Sequence, residues 1–465
     1  MNRTKIVCTL GPASADYKTI KEMVLSGMNV ARLNMSHGTH ESHHAIIENV
    51  KKVREDLGVP VAIMVDTKGP EIRIKQFAEG KVMLKQNAKF VLTTHSIVGD
   101  ETAVAVSYAK LPAIVNKGDR LLLNDGLIEL VVLDKNATDV LTKVTVGGIL
   151  SNNKSINLPG ISYEMPYLSE NDKKDITFAV QENADILSIS FVNNADNVQD
   201  IRKLLKKLGD TNMLVCSKIE SEQGVQNMDS IIDASDGVMV ARGDLGVEID
   251  FARIPYIQKE IIKKCNEKGK FTITATQMLE SMVHSNRPTR AEISDVANAI
   301  IDGSSSVMLS GETSSGDHPA LVVKTMERIA HECEKTIKSE LRMFETNNIT
   351  KSLGYAAADL ALSLHAKAII SVTKTGYSTS CITRFRPNCP VLAFTPIKKT
   401  YNQLSIYYGA IPLMDKEYTD TDDMLASARQ IAKCQGLLKR GDLVIQVSGS
   451  PQSNCGANNI QVSEV

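Results

Sequence analysis

The chain carries no excess of charge of either sign. Its 53 lysines and arginines stand against 54 aspartates and glutamates, a formal net charge of −1, so nothing draws it over long range toward nucleic acid or an anionic membrane. No apolar run approaches the roughly 20 residues of a membrane-spanning helix, and the N-terminal MNRTKIVCTLGPAS enters a strand-like segment with no signal-peptide core. A cytoplasmic protein is expected. The eight cysteines (Cys8, Cys216, Cys265, Cys333, Cys381, Cys389, Cys434 and Cys455) contain no CxxC pair and no His/Cys metal spacing, which reads as reduced, small hydrophobes rather than disulfides or a zinc site. A P-loop signature is missing, no GxGxxG follows a strand, and low-complexity tracts are lacking.

What is present is an ordinary globular composition. With 43% hydrophobic and 23% charged residues over 465 positions, the length fits about two to four domains. Short β-rich runs alternate with amphipathic stretches from the start: TKIVCTL, a helix over Asp16 to Ser26, NVARLNM, a helix over His40 to Leu57, then VAIMVD. That order implies parallel strands with helical crossovers. From about Glu71 to Glu164 it gives way to alternating strands and turns, with Asn124-Asp125-Gly126 a hairpin signal. After Met165 the rhythm resumes with a helix near Glu170 to Asn183 and the runs DILSIS, MLVCSKIE, GVMVAR, FTITATQM and SSVMLSG.

Counted across the insertion there are about eight strand-helix units, the number that closes a parallel barrel. The expected fold is an α/β (β/α)8 TIM barrel with an all-β lid domain inserted after strand three and a C-terminal α/β domain. The expected boundaries are 1–70 and 165–346 for the barrel, 71–164 for the lid and 347–465 for the last domain.

Barrel chemistry sits at the carboxyl ends of the strands. The residues closing each apolar run, or just past it, are Arg32, Asn34, Ser36 and His37 for strand two, and Asp66, Thr67 and Lys68 for strand three. Lys218 and Glu220 end strand five, Arg242, Gly243 and Asp244 strand six, Thr276 and Gln277 strand seven, and Ser310 and Glu312 strand eight. In MLVCSKIESEQG, Lys218 and Glu220 are two apart and point the same way. Alone they read equally as a structural ion pair. With Asp244 one strand away and Arg32 across the mouth, they form a hard, oxygen-rich site for Mg²⁺ or Mn²⁺ beside a compact positive charge suited to a moving phosphoryl or a developing enolate.

Gly243 is expected to let the chain turn sharply and present amide N–H groups to an anion such as a carboxylate. Asn34, Ser36 and Asp66 supply oxygens for a monovalent cation, whereas His37 alone reads as an ordinary packed or solvated histidine. The phosphate clamp then falls to scattered cations, Arg32, Arg73 and Lys154, under a lid able to exclude water.

The segments TKIVCTLGPAS, ARLNMSHG, DTKGPEIR, NLPG, CSKIESEQG, MVARGDLGVE, TATQMLESM, RPTRAEISDVANAI and MLSGETSSGDHP resemble the pyruvate kinase family over essentially the full length. The resemblance implies transfer of a phosphoryl group from phosphoenolpyruvate to ADP. Lys218 and Arg32 would bind the moving group, Glu220 and Asp244 would hold Mg²⁺, and Gly243, Asp244 and Thr276 would bind the substrate carboxylate, Thr276 also ordering the water that protonates the enolate. Asn34, Ser36, Asp66 and Thr67 match a K⁺ site, and Arg73, His37 and Lys154, with Asn34 beside them, match nucleotide contacts. Glu71 in GPEIR goes with K⁺ dependence.

In the last domain Thr373, Lys374, Thr375, Gly376, Tyr377 and Ser378 resemble an effector loop for a sugar phosphate, although they also read as a plain strand-turn-helix. SGSPQSNCGANN lacks the arginine of bisphosphate-activated members, which leaves a monophosphorylated sugar or a nucleotide. SFVNN places Asn193 and Asn194 where many members carry arginine, so a subunit or loop contact is expected to differ. Members are usually homotetramers. Two other readings of the same residues are an enolate-forming carbon–carbon lyase and a catalytically silent sugar-phosphate sensor.

Overall fold

The structure is a computed structural model that describes residues 2–161, 165–337, 341, 348–451 and 456–465. Eight parallel strands close a barrel in chain order: Lys5–Thr9, Val30–Asn34, Ala62–Asp66, Ile186–Ile189, Leu214–Ile219, Gly237–Ala241, Phe271–Ala275 and Ser306–Leu309. The last pairs with the first at Ser306 and Lys5. Buried on both faces, these strands are near-continuous apolar runs, which is why the sequence shows them as blocks rather than alternations. Local signals fix the crossovers: the Asp16 side chain caps Tyr17–Leu25, a Thr39 capping box opens His40–Leu57, and Gly58, at φ +65°, ends it.

Period-2 alternation divides the strand residues. Ile6 and Cys8 pack outward under the helices, while Val7, Val30, Met64, Ile186, Cys216, Met239, Ile273 and Met308 fill the interior. A Cβ on Gly237 would lie 2.2 Å from the Phe271 ring, so glycine there lets that ring pack inside the barrel.

The lid leaves strand three and returns before strand four. Its main sheet runs in the order Ile72–Arg73, Ser155–Asn157, Arg120–Leu123, Ile128–Lys135, Asp139–Val146, Lys89–Thr93, Ala103–Ala105. A bridge between Ile74 and Val106 joins its two edges, with Ser107 N–H donating to Arg73 O at 2.8 Å. Phe90, Leu92, Leu121, Leu130 and Val144 form its core. Asn124, Asp125 and Gly126 all adopt positive φ between the paired Leu123 and Ile128, as the hairpin signal requires. One helical turn, Leu111–Ile114, departs from the all-β expectation. The boundary residues Glu164 and Thr346, and positions 452–455 of the SGSPQSNCGANN loop with Cys455 among them, lie outside the described residues; the other seven cysteines carry free thiols.

The C-terminal domain has its own five-stranded sheet, ordered Ala410–Met414, Val391–Thr395, Ala368–Val372, Leu443–Ser448, Asn459–Glu464, with only the last pair antiparallel. It is less separate than its sequence pattern suggests. Ile406 belongs to the barrel's interior core, with Tyr407 packed against it, and the Tyr407 ring meets Phe271 edge-on at 5.7 Å. Gln403 Nε2 donates to the carbonyls of Asp185 (3.0 Å) and Asn212 (2.6 Å) at the feet of strands four and five. Ser306 Oγ donates to Ile406 O, and Lys5 Nζ to Ala410 O. The domain therefore plugs the barrel floor. Ile406→Ala is expected to destabilise the whole chain by about 2–5 kcal/mol, the usual cost of emptying a buried Ile site, read as a lower urea midpoint with barrel and C-terminal probes shifting together.

Candidate active site

Arg32, Asp66, Lys218 and Glu220 converge because each sits at or just past an inward-facing position at the carboxyl end of its strand. Asp66, fully buried, is the hub. Its Oδ2 accepts from Arg32 Nε at 2.6 Å and its Oδ1 lies 3.4 Å from Lys218 Nζ. Lys218 Nζ also pairs with Glu220 Oε1 at 2.9 Å and donates to Ser190 Oγ at 2.8 Å. Burial alone would lower the Lys218 pKa, but Asp66, Glu220 and Asp244 together outweigh it and hold the ammonium above its ordinary value. Arg32 is braced from strand one, donating from Nη1 to Thr9 Oγ1 at 2.8 Å.

The fourth strand supplies the residues that sequence reading missed. Ser190 Oγ donates to Thr67 O at 2.6 Å while accepting from Lys218, and Tyr167 Oη donates to Ser190 O at 2.9 Å. Phe191, at φ +52°, aims its backbone N–H at Glu220 Oε2, 2.6 Å away. Position is the only trace the sequence carries of them, since strand four, Ile186–Ile189, ends one residue before Ser190; residue type gives none. Asn193 and Asn194, expected to alter a contact, tie loops together: Asn193 accepts from Ser221 Oγ (2.5 Å) and Asn227 Nδ2 (2.8 Å), and Asn194 caps Ala195–Lys207.

Glu220 is short of counter-charge. Burial first, then the negative Asp244, push its carboxyl up to about 8 against the opposing pull of Lys218. Such a desolvated carboxylate beside a second one fits a divalent, oxygen-seeking ion, so the donor set suits Mg²⁺ or Mn²⁺. Over the window between its ordinary value and its raised one, the folded carboxyl binds a proton more tightly than the unfolded chain does. This group's contribution to stability therefore falls as pH rises across that window. An incoming ion must expel the proton. Mn²⁺ affinity is expected to weaken as pH falls, with proton release seen by calorimetry in buffers of different ionisation enthalpy.

Of the residues expected for K⁺, Asn34 faces Asp66 across strands two and three, with Ser36 and Thr67 just beyond those strand ends. Asn34 Oδ1 accepts from Ser36 N–H at 3.1 Å and Thr67 O from Ser190. The neutral oxygens keep a second lone pair, and the set fits a monovalent ion in its donor chemistry. Asp66 additionally holds the two cations, a task its sequence context did not disclose.

Gly243 differs from expectation. It lies within the seven-residue helix Arg242–Glu248 without positive φ, and its N–H donates to Thr276 Oγ1 at 2.8 Å, which in turn donates to Ala275 O at 2.6 Å. Glu312 is a buried brace, accepting from the N–H groups of Leu279 (3.0 Å) and Ser310 (2.7 Å).

At the lid root Arg73 pairs with Glu71 and donates to Asn153 O at 2.7 Å. Burial raises the Glu71 carboxyl, opposed mainly by Arg73. Lys154 lies on the adjoining lid segment, its carbonyl accepting from Ile74 N–H, and His37 is exposed, its carbonyl accepting from His43 Nε2 at 2.7 Å. The lid rests on the barrel through Asn157 Nδ2 and Glu248 Oε1, 2.8 Å apart. Beside this contact opens a cleft of about 770 Å³, lined in part by Glu71, Tyr167, Phe191 and Glu248.

In the C-terminal loop Thr373 Oγ1 accepts from Gly376 N–H at 2.9 Å, Thr375 Oγ1 from Tyr377 N–H at 3.4 Å, and Lys374 O from Thr400 Oγ1 at 2.8 Å. Gly376 takes φ +84°, Ser378 is buried and Lys374 exposed.

Residues 1–323 match the family model "Pyruvate kinase, barrel domain" and residues 351–463 match "Pyruvate kinase, alpha/beta domain". The chain is 42% identical to a pyruvate kinase of Sporosarcina psychrophila, across 99% of this chain and 80% of that protein. It is 41% identical to one of Clostridium acetobutylicum, across 99% and 98% respectively, and 42% identical to one of Geobacillus stearothermophilus, across 98% and 79%. With both family models matched in order and a rim of opposed cations and carboxylates at the barrel mouth, the chain belongs to the pyruvate kinase family.

Proposed function

We propose that this protein transfers the phosphoryl group of phosphoenolpyruvate to ADP in glycolysis, giving pyruvate and ATP, at the barrel rim. The single observation that carries this reading is the buried Lys218 ammonium, kept charged between Asp66 and Glu220 with Arg32 beside it. Phosphorus leaves the enol oxygen on C2 for a terminal oxygen of ADP. The bonding pair stays on the enol oxygen, and the resulting enolate takes a proton at C3. Such a transition state spreads charge with little covalent work for the protein, so positioning and electrostatics dominate.

Lys218 and Arg32 hold the phosphoryl oxygens. The substrate carboxylate takes over the Gly243 N–H, releasing the Thr276 hydroxyl to order the water that delivers the proton. Arg73, with Lys154, His37 and Asn34, receives the nucleotide phosphates, its guanidinium resting on Glu71 until a phosphate competes for it. Mg²⁺ or Mn²⁺ on Glu220 and Asp244, and K⁺ on Asn34, Ser36, Asp66 and Thr67, supply charge compensation for the phosphoryl oxygens when bound. The lid excludes water, as a reaction prone to leak into hydrolysis requires.

Pyruvate formation from phosphoenolpyruvate should depend strictly on ADP. A lyase needs no ADP and a silent sensor makes no product, so either result overturns the reading. Replacing K⁺ by Na⁺ should cut the rate by about tenfold or more, because charge at the transition state is left uncompensated; an unchanged rate removes Glu71 and the K⁺ site from the account. A cytoplasmic homotetramer with a sugar-phosphate or nucleotide effector at Thr373–Ser378 completes the proposal. Among the described residues no helix is long and apolar enough to cross a membrane. Light scattering tests the assembly. Thermal shift with candidate effectors tests the loop, on the full chain because Ile406 belongs to the barrel core.

A further inference from the structure

Arg242 touches neither of the expected metal carboxylates, yet its side chain is largely buried and spans three elements. From just past strand six it reaches the end of strand seven and the loop beyond, where Nε donates to Ala275 O at 3.2 Å and Nη2 to Thr276 O at 2.7 Å. Its other side is anchored by Asp295 Oδ1 at 2.7 Å, on helix Arg290–Asp302. The loop it grips is strained: Thr276 and Gln277 adopt φ +69° and +54° in succession. For a β-branched residue that is a genuine outlier, and it persists only where the surroundings over-determine it. A planar guanidinium fork on two successive carbonyls does so from one side, and the Gly243 N–H on Thr276 Oγ1 does so from the other.

We propose that Arg242 is the positioning residue of Thr276. It holds the backbone of Thr276 in the left-handed conformation and thereby aims the hydroxyl at Gly243 and the substrate carboxylate. This inference rests on the role given to Thr276 in the proposed reaction. Arg242→Lys keeps the charge and loses the fork. A displacement of about 1 Å at a reacting group costs up to about 10²-fold, so kcat for phosphoenolpyruvate should fall by about 10–100-fold, while Mn²⁺ affinity, set by Glu220 and Asp244, stays unchanged. Asp295→Asn, which leaves the arginine but loosens its anchor, should show a smaller loss of the same kind and serves if Arg242→Lys does not fold.

The deciding measurement is the double variant with Thr276→Ala. If Arg242 acts through Thr276, adding Arg242→Lys or Asp295→Asn to Thr276→Ala produces no further loss in kcat. Multiplicative losses, or a weakened Mn²⁺ affinity in the single variants, overturn the inference while leaving Thr276 in the reaction. A Thr276→Ala enzyme with unchanged kcat and KM overturns both.

Discussion

Lys218→Met is expected to lower kcat for phosphoryl transfer by about 10²–10³-fold, the range for removing one preorganised donor from a dry site, while proton exchange at C3 of pyruvate persists. The separation follows from geometry. Lys218 lies in the Asp66, Ser190 and Glu220 cluster, whereas Thr276, the residue given the proton-delivery role, is bonded to Gly243 in the helix after strand six and to Ala275 at the end of strand seven. Methionine matches the length of the lysine stem but leaves Glu220 with the Phe191 N–H as its remaining direct partner. Comparing pyruvate formation with tritium loss from labelled pyruvate checks the separation, and equal loss of both would give Lys218 a part in enolisation as well.

Asp66→Asn should produce the second large effect. The fully buried carboxylate faces Arg32 at 2.6 Å and Lys218 at 3.4 Å. Asparagine preserves the shape, removes the charge and leaves two cations competing for what remains. Breaking a buried pair in this way costs about 3–5 kcal/mol, visible as a lower urea midpoint. Because Arg32 and Lys218 lose their common anchor, kcat should fall by about 10²-fold or more even at saturating K⁺. If high K⁺ restores full activity, the residue serves the monovalent ion alone and its place between the two cations is incidental.

The rim residues were legible because a side-chain period of two and a closed barrel of eight strands suffice to send Arg32, Asp66 and Lys218 to one mouth. Glu220 followed from the same period. Ser190 and Phe191 were not legible as site residues, because Ser190 acts through a hydroxyl between two other residues and Phe191 through a backbone N–H that any residue type carries. The partner that the Gly243 amide takes in the unliganded chain was not legible for a related reason. A glycine after a strand suggests a turn, but its donor is committed to Thr276 from a neighbouring strand, which no local pattern records. Likewise the last domain announces its own sheet through strand-helix rhythm, while Ile406 enters the barrel core from a three-residue helical turn with no periodicity of its own.

Taken by itself, the sequence determined the strand-helix alternation, the β insertion, the closing number of strands and the chemical types waiting at each strand end, since all of these are written in spacing along the chain. Only the tertiary structure decided that Asp66 is shared by Arg32 and Lys218, that Arg242 grips the loop bearing Thr276, and that the C-terminal domain seals the barrel floor. Those contacts join residues from 33 to 405 positions apart. They are set by how the closed cylinder brings strand ends and floor together, a constraint that periodicity within any one segment does not contain.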